Sequence, residues 1–174
     1  MWREGFRVKA SAEIERKYLL STLPPRALLG DGVAITQGYI DSGDPEIRVR
    51  RLGACHFLAI KSGEGLRRLE VEVEISADTH GRLWALTEGA RVVKTRYRLN
   101  DGGHSWEIDE YAEALSGLYT AEVELTSITD AVTPPAVLSI VREVTDDPRY
   151  RNKNLARRGR PWADPSSSDQ TPPP

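Results

Sequence analysis

The stretch EIERKYLL at residues 13–20 places Glu13, Glu15 and Lys17 at two-residue spacing, with Ile14, Arg16 and Tyr18 between them. Side chains two apart on a β-strand share a face. The stretch therefore predicts a strand with three charges on one side, while Ile14 and Tyr18 face the other.

The same alternation recurs along the chain. Segments rich in β-branched and aromatic residues, parted by Gly, Asp, Asn and Pro, predict eight strands at 12–20, 33–41, 46–52, 54–62, 66–75, 90–100, 104–111 and 119–126. Beyond the first strand, the charged faces collect Glu46, Arg48 and Arg50; Lys61; Arg68, Glu70, Glu72 and Glu74; Lys94, Arg96 and Arg98; Glu107 and Asp109; and Glu122 and Glu124. The opposite faces read as core, with Val49, Leu58, Val71, Tyr97, Trp106, Ile108 and Val123 among them. Short links favour antiparallel neighbours. Between the fifth and sixth strands, SADTHGRLWALTEG predicts a helix capped by Ser76 or Asp78 and stopped by Gly89. PPAVLSIVREV predicts a second helix, with Pro134 and Pro135 in its first turn, and RNKNLARRG a short third.

An amphipathic antiparallel sheet ordinarily turns its polar side to water. This polar side is almost wholly charged and sorts arginines and lysines apart from Glu-x-Glu pairs. Eight strands are also enough to close a barrel. With the charged faces inward, the interior becomes a polar tunnel whose crowded cations call for a polyanion. The carboxylate pairs lie about 6–7 Å apart along a strand. As hard oxygen donors they suit Mg²⁺ or Mn²⁺. Cations for phosphate and carboxylates for metal point to phosphoryl transfer.

Composition bounds the rest. The 174 residues predict one domain, and no apolar run approaches the roughly 18 residues of a membrane span. A charged N-terminus without a secretory signal predicts a cytoplasmic protein. The lone Cys55 excludes an internal disulfide and cannot alone build a zinc site, and a net charge of −2 gives no global field to draw in duplex nucleic acid. His56 falls on an apolar parity, His80 in a predicted helix and His104 at a strand start, so no imidazole joins the charged wall. Residues 1–11 are expected to be a flexible extension, 12–159 the domain and 160–174 a disordered Pro- and Ser-rich tail.

The ordered set Glu13-x-Glu15-x-Lys17, EIRVR (46–50), Lys61 before Gly63, LEVEVE (69–74), KTRY (94–97), EID (107–109), AEVEL (121–125) and RYRNKNLA (149–156) resembles the CYTH, or triphosphate tunnel metalloenzyme, family. The likeness is closest to short bacterial members similar to inorganic triphosphatases. It implies a mainly β fold, an eight-stranded antiparallel β-barrel forming a hydrophilic tunnel with a few helices outside. It also implies divalent-metal-dependent hydrolysis of a triphosphate, with inorganic tripolyphosphate first. By the same resemblance Glu13, Glu15, Glu122 and Glu124 become metal ligands. Lys17, Arg48, Arg50, Lys61, Lys94 and Arg96 become phosphate contacts, and Glu70, Glu72, Glu107 and Asp109 an acidic wall. Lys17, Glu15 and Glu122 are the expected catalytic residues. A nucleotide triphosphatase or class IV adenylate cyclase acting on ATP stays open, as do a polyphosphate-binding module without chemistry and a homodimer.

Overall fold

The computed structural model describes residues 6–9, 14–62, 69–127 and 129–161 of the chain. Among the described residues there are ten strands: β1 (Phe6–Lys9), β2 (Ile14–Leu20), β3 (Val33–Asp41), β4 (Glu46–Leu52), β5 (Cys55–Ser62), β6 (Leu69–Glu74), β7 (Arg91–Asp101), β8 (His104–Tyr111), β9 (Tyr119–Leu125) and β10 (Ile140–Glu143). The eight expected strands are β2 to β9, each within a few residues of its predicted bounds. They pair antiparallel in the order β1-β6-β5-β4-β3-β7-β8-β9-β2-β10.

The sheet curls as a barrel does, but among the described residues its ladder does not close. Short strands cover both edges instead, β1 along β6 and β10 along β2. Short edge strands are a common way to blunt an unpaired ladder. β1 falls within the segment expected to be a flexible extension, and most of the expected tail lies outside the described residues.

One expected helix is a correction. Residues 134–144 form a turn and then β10, not a helix. The β-branched pair Ile140-Val141 suits a strand, and the open edge of β2 supplies partners. Ile140 pairs with Leu20, Ser21 N–H donates to Ser139 O, and Val144 N–H donates to Lys17 O. The other two helices are found, α1 (Ala77–Trp84) and α2 (Asn152–Arg158). Ser76 caps α1 by accepting from Thr79 N–H.

Apolar side chains on the outer faces of β2, β7, β8 and β9 make the main core. Tyr18, Leu20, Tyr97, Trp106, Ile108, Ala121 and Val123 pack beneath Leu29 and Leu138. A second core lies at one end of the inner face, where Leu19, Val92 and Tyr111 meet Leu115, Leu118, Tyr150 and Leu155. Leu155 belongs to α2, so this helix caps that end. Among the described residues no helix is long and apolar enough to cross a membrane.

Candidate active site

Register places the charged side chains together. Lys17 lies opposite Glu122 and Glu15 opposite Glu124 on β2 and β9. Glu107 faces Glu122 on β8 and β9, and Arg96 faces Asp109 on β7 and β8. Lys61 faces both Glu46 and Glu70. Since strand side chains alternate, these residues share the inner face, and most of them are buried or half-buried. Glu13 lies outside the described residues.

The inner charges form two linked groups. In the first, Lys17 Nζ lies 2.8 Å from Glu122, Arg96 lies 2.8 Å from Glu122 and 2.7 Å from Asp109, and Arg96 also pairs with Glu107. Lys94 pairs with Asp109, whose side chain is fully buried. In the second, Arg48 and Lys61 each lie 2.9 Å from Glu70, and Arg50 lies 2.7 Å from Glu72. The acidic wall thus neutralises the cations that would otherwise repel one another.

These surroundings fix charge states. Burial disfavours the Lys17 ammonium, but Glu122, Tyr111 and Asp109 outweigh it and hold its pKa well above the ordinary lysine value. Burial likewise disfavours the Glu122 carboxylate, yet Lys17, Arg96 and Lys94 keep it far below the usual carboxylate range. Neither group exchanges a proton at neutral pH. Arg50 runs the other way: burial, then Arg48, depress its pKa more than Glu72 raises it. The buried Nε atoms of Arg48 and Arg50 have no hydrogen-bond partner. A buried donor without a partner costs about 1–3 kcal/mol, so this wall keeps capacity for an anion.

The metal-ligand expectation meets a partial arrangement. Glu15 and Glu124 face each other across β2 and β9, both exposed. Two hard oxygen donors facing one another are of the kind that suits a divalent cation. Glu122 shares the face but turns to Lys17 and Arg96. Among the described residues no three acidic, His or Cys side chains cluster tightly enough to hold a metal ion.

The charged rows end at the α2 side. One step along the same face, Lys17 gives way to Leu19, Lys94 to Val92 and Asp109 to Tyr111, all in the second core. Tyr111 donates to Asn152 of α2 at 2.8 Å, and Lys153 of α2 lies 3.6 Å from Glu46. Positions 37 and 39 of β3 carry no charge, yet Gln37 and Tyr39 are buried on this inner face, Gln37 donating to the Tyr39 hydroxyl. Their register partners Arg50 and Arg48 were the available signal.

Comparison with known proteins follows this geometry. The CYTH domain family model matches residues 11–159. The chain belongs to the CYTH domain family. It is 42% identical over 150 residues to an inorganic triphosphatase of Nitrosomonas europaea, an alignment spanning 83% of this chain and 96% of that protein. It is 36% identical over 148 residues to an inorganic triphosphatase of Acetivibrio thermocellus, spanning 83% of this chain and 93% of that one. A crystal structure of an inorganic triphosphatase superposes with a TM-score of 0.64 at 38% identity, covering 83% of this chain and 94% of the other.

Proposed function

We propose that this CYTH protein is a hydrolase that cleaves inorganic triphosphate with the help of a divalent cation. The observation that carries the reading is the inner face itself. Six cations, Lys17, Arg48, Arg50, Lys61, Lys94 and Arg96, converge there with two unpartnered guanidinium nitrogens. Two relatives above 35% identity that carry the inorganic triphosphatase name give the same direction.

In this reading the arginines grip non-bridging phosphoryl oxygens with their planar forks, and the lysines supply point charge where negative charge develops. Because Glu70, Glu72, Glu107 and Asp109 already hold these cations in place, the site is preorganised before substrate arrives. The substrate then competes with the wall for donors. Lys17 stays protonated throughout and acts as fixed charge at the scissile phosphorus, oriented by Glu122. Attack is by water, in line with the leaving pyrophosphate. Glu13, Glu15, Glu122 and Glu124 would hold Mg²⁺ or Mn²⁺, which when bound neutralises charge on the phosphoryl oxygens. The reading also carries a cytoplasmic location, no membrane or duplex nucleic acid partner, and a homodimer that sedimentation would detect.

Phosphate release tests it, measured on tripolyphosphate, pyrophosphate, thiamine triphosphate and ATP, each with Mg²⁺, with Mn²⁺ and with chelator. Release from tripolyphosphate above the others, abolished by chelator, is expected. Cyclic AMP as the main product from ATP would overturn the order of substrates. Tight binding without any release would leave a binding module.

A further inference from the structure

Outside the charged interior, one cluster of titratable side chains has no task in this reaction. Thr36, Arg51 and His56 stand in one row across the outer faces of β3, β4 and β5, for Thr36 pairs with Arg51 and Arg51 with His56. α1 lies over β4 and β5. It brings His80, Gly81 and Trp84 against that row, around a cavity of about 290 Å³. The rings of His56 and His80 are 4.8 Å apart, and His80 stacks on Trp84 with centroids 5.6 Å apart. His80 is only 8% exposed, and its buried Nε2 has no hydrogen-bond partner. Such an orphan is costly without a ligand.

The lining itself selects the ligand chemistry. Among the described residues no carboxylate borders the cavity. Asp78, the acid of α1, pairs with Arg82 at 3.0 Å. Among the described residues Arg51 has no ion pair, so a permanent cation faces the cavity uncompensated. A metal cation between the two imidazoles would meet that charge. A flat heterocycle would find no platform either, because His80 covers one side of Trp84 and Arg91 lies 4.5 Å from its ring centroid. One guanidinium, one hydroxyl and two imidazoles instead make a converging set of donors. We infer that this outer cavity binds a small inorganic oxyanion of phosphate size, held by Arg51, Thr36, His56 and His80. The inference stands on the outer face alone and does not rest on the reaction proposed for the interior.

Protons follow from the same geometry. Burial, then His56 and Arg51, keep His80 below its ordinary pKa. The groups facing it are His56 from β5, Arg51 from β4 and Trp84 from its own helix. An anion among them favours the imidazolium form, so binding takes up protons and tightens as pH falls through the imidazole range. The oxyanion would also bridge α1 to β4, and α1 is the link between β6 and β7, which carry part of each inner ion-pair group.

The test follows ring-proton resonances of the three histidines, His56, His80 and His104, in the full chain during titration with inorganic phosphate. His56 and His80 should move along one saturable isotherm that His104 does not share. Arg51→Ala should weaken that isotherm about tenfold or more, Thr36→Val should weaken it less, and Arg50→Ala, on the inner face, should leave it unchanged. With sulfate, which stays a dianion across this range, affinity should rise severalfold from mildly alkaline to mildly acidic pH. Static His56 and His80 resonances, an isotherm lost in Arg50→Ala but kept in Arg51→Ala, or a response to Zn²⁺ and none to phosphate would each overturn the inference.

Discussion

The Lys17 ammonium and the Glu122 carboxylate lie 2.8 Å apart on neighbouring strands, with side chains 9% and 12% exposed. Breaking such a pair from one side leaves the other charge buried. Lys17→Met should cost about 3 kcal/mol of stability, partly offset because Arg96 still reaches Glu122. Turnover should fall about a hundredfold. Denaturant melts beside phosphate-release assays check both. Full turnover in Lys17→Met would remove Lys17 from the chemistry.

The same pair sets a pH window. Glu122 titrates far below its ordinary value of 4.5 when folded, so its contribution to stability is complete above that value and is lost as pH falls toward the folded pKa. Lys17 titrates above its ordinary value of 10.5, so its contribution is complete below that value and is lost as pH rises toward the folded pKa. Thermal melts should therefore show a plateau across neutral pH with an acid-side decline that is shallower in Glu122→Gln. An acid limb unchanged by that substitution would contradict the assignment.

Asp109 anchors the first charge group, accepting from Lys94 and twice from Arg96 while fully buried. Asp109→Ala would strand two cations and should destabilise by about 3–5 kcal/mol. Asp109→Asn keeps the shape but not the charge, and should retain the fold while raising KM more than it lowers kcat. Equal losses in the two variants would argue for a purely steric role.

Gly38 offers a test away from the charged interior. A Cβ there would collide with the Thr87 side chain, and Thr87 is fully buried where it accepts from Arg91 and donates to the Trp84 carbonyl. Gly38→Ala should cost about 1–3 kcal/mol through overpacking. A melting temperature equal to that of the parent protein would show that Thr87 can yield.

Parity made most of the site legible. Glu15 and Lys17 on β2, Arg48 and Arg50 on β4, Lys94 and Arg96 on β7, and Glu122 and Glu124 on β9 fall on one face because strand geometry leaves no other choice. Pairing partners were not legible, because they depend on register between distant strands. Hence the cations meet carboxylates at rest, where the composition alone suggested bare charge awaiting a polyanion. Residues 134–144 read as a helix in sequence because Pro-Pro resembles a helix start, while the free edge of β2 that recruits Ile140–Glu143 appears only in three dimensions. The strand at 33–41 is legible, but its inward Gln37 and Tyr39 carry no charge and so give no sign of joining the inner face.

The apolar cap under α2 has a consequence for traffic. With Leu19, Val92, Tyr111 and Leu155 packed at that end, an anion of the kind proposed would enter, and its products leave, away from α2, by the far end or the open side of the sheet. Departing product would obstruct the next molecule, so turnover should be self-limiting as product accumulates.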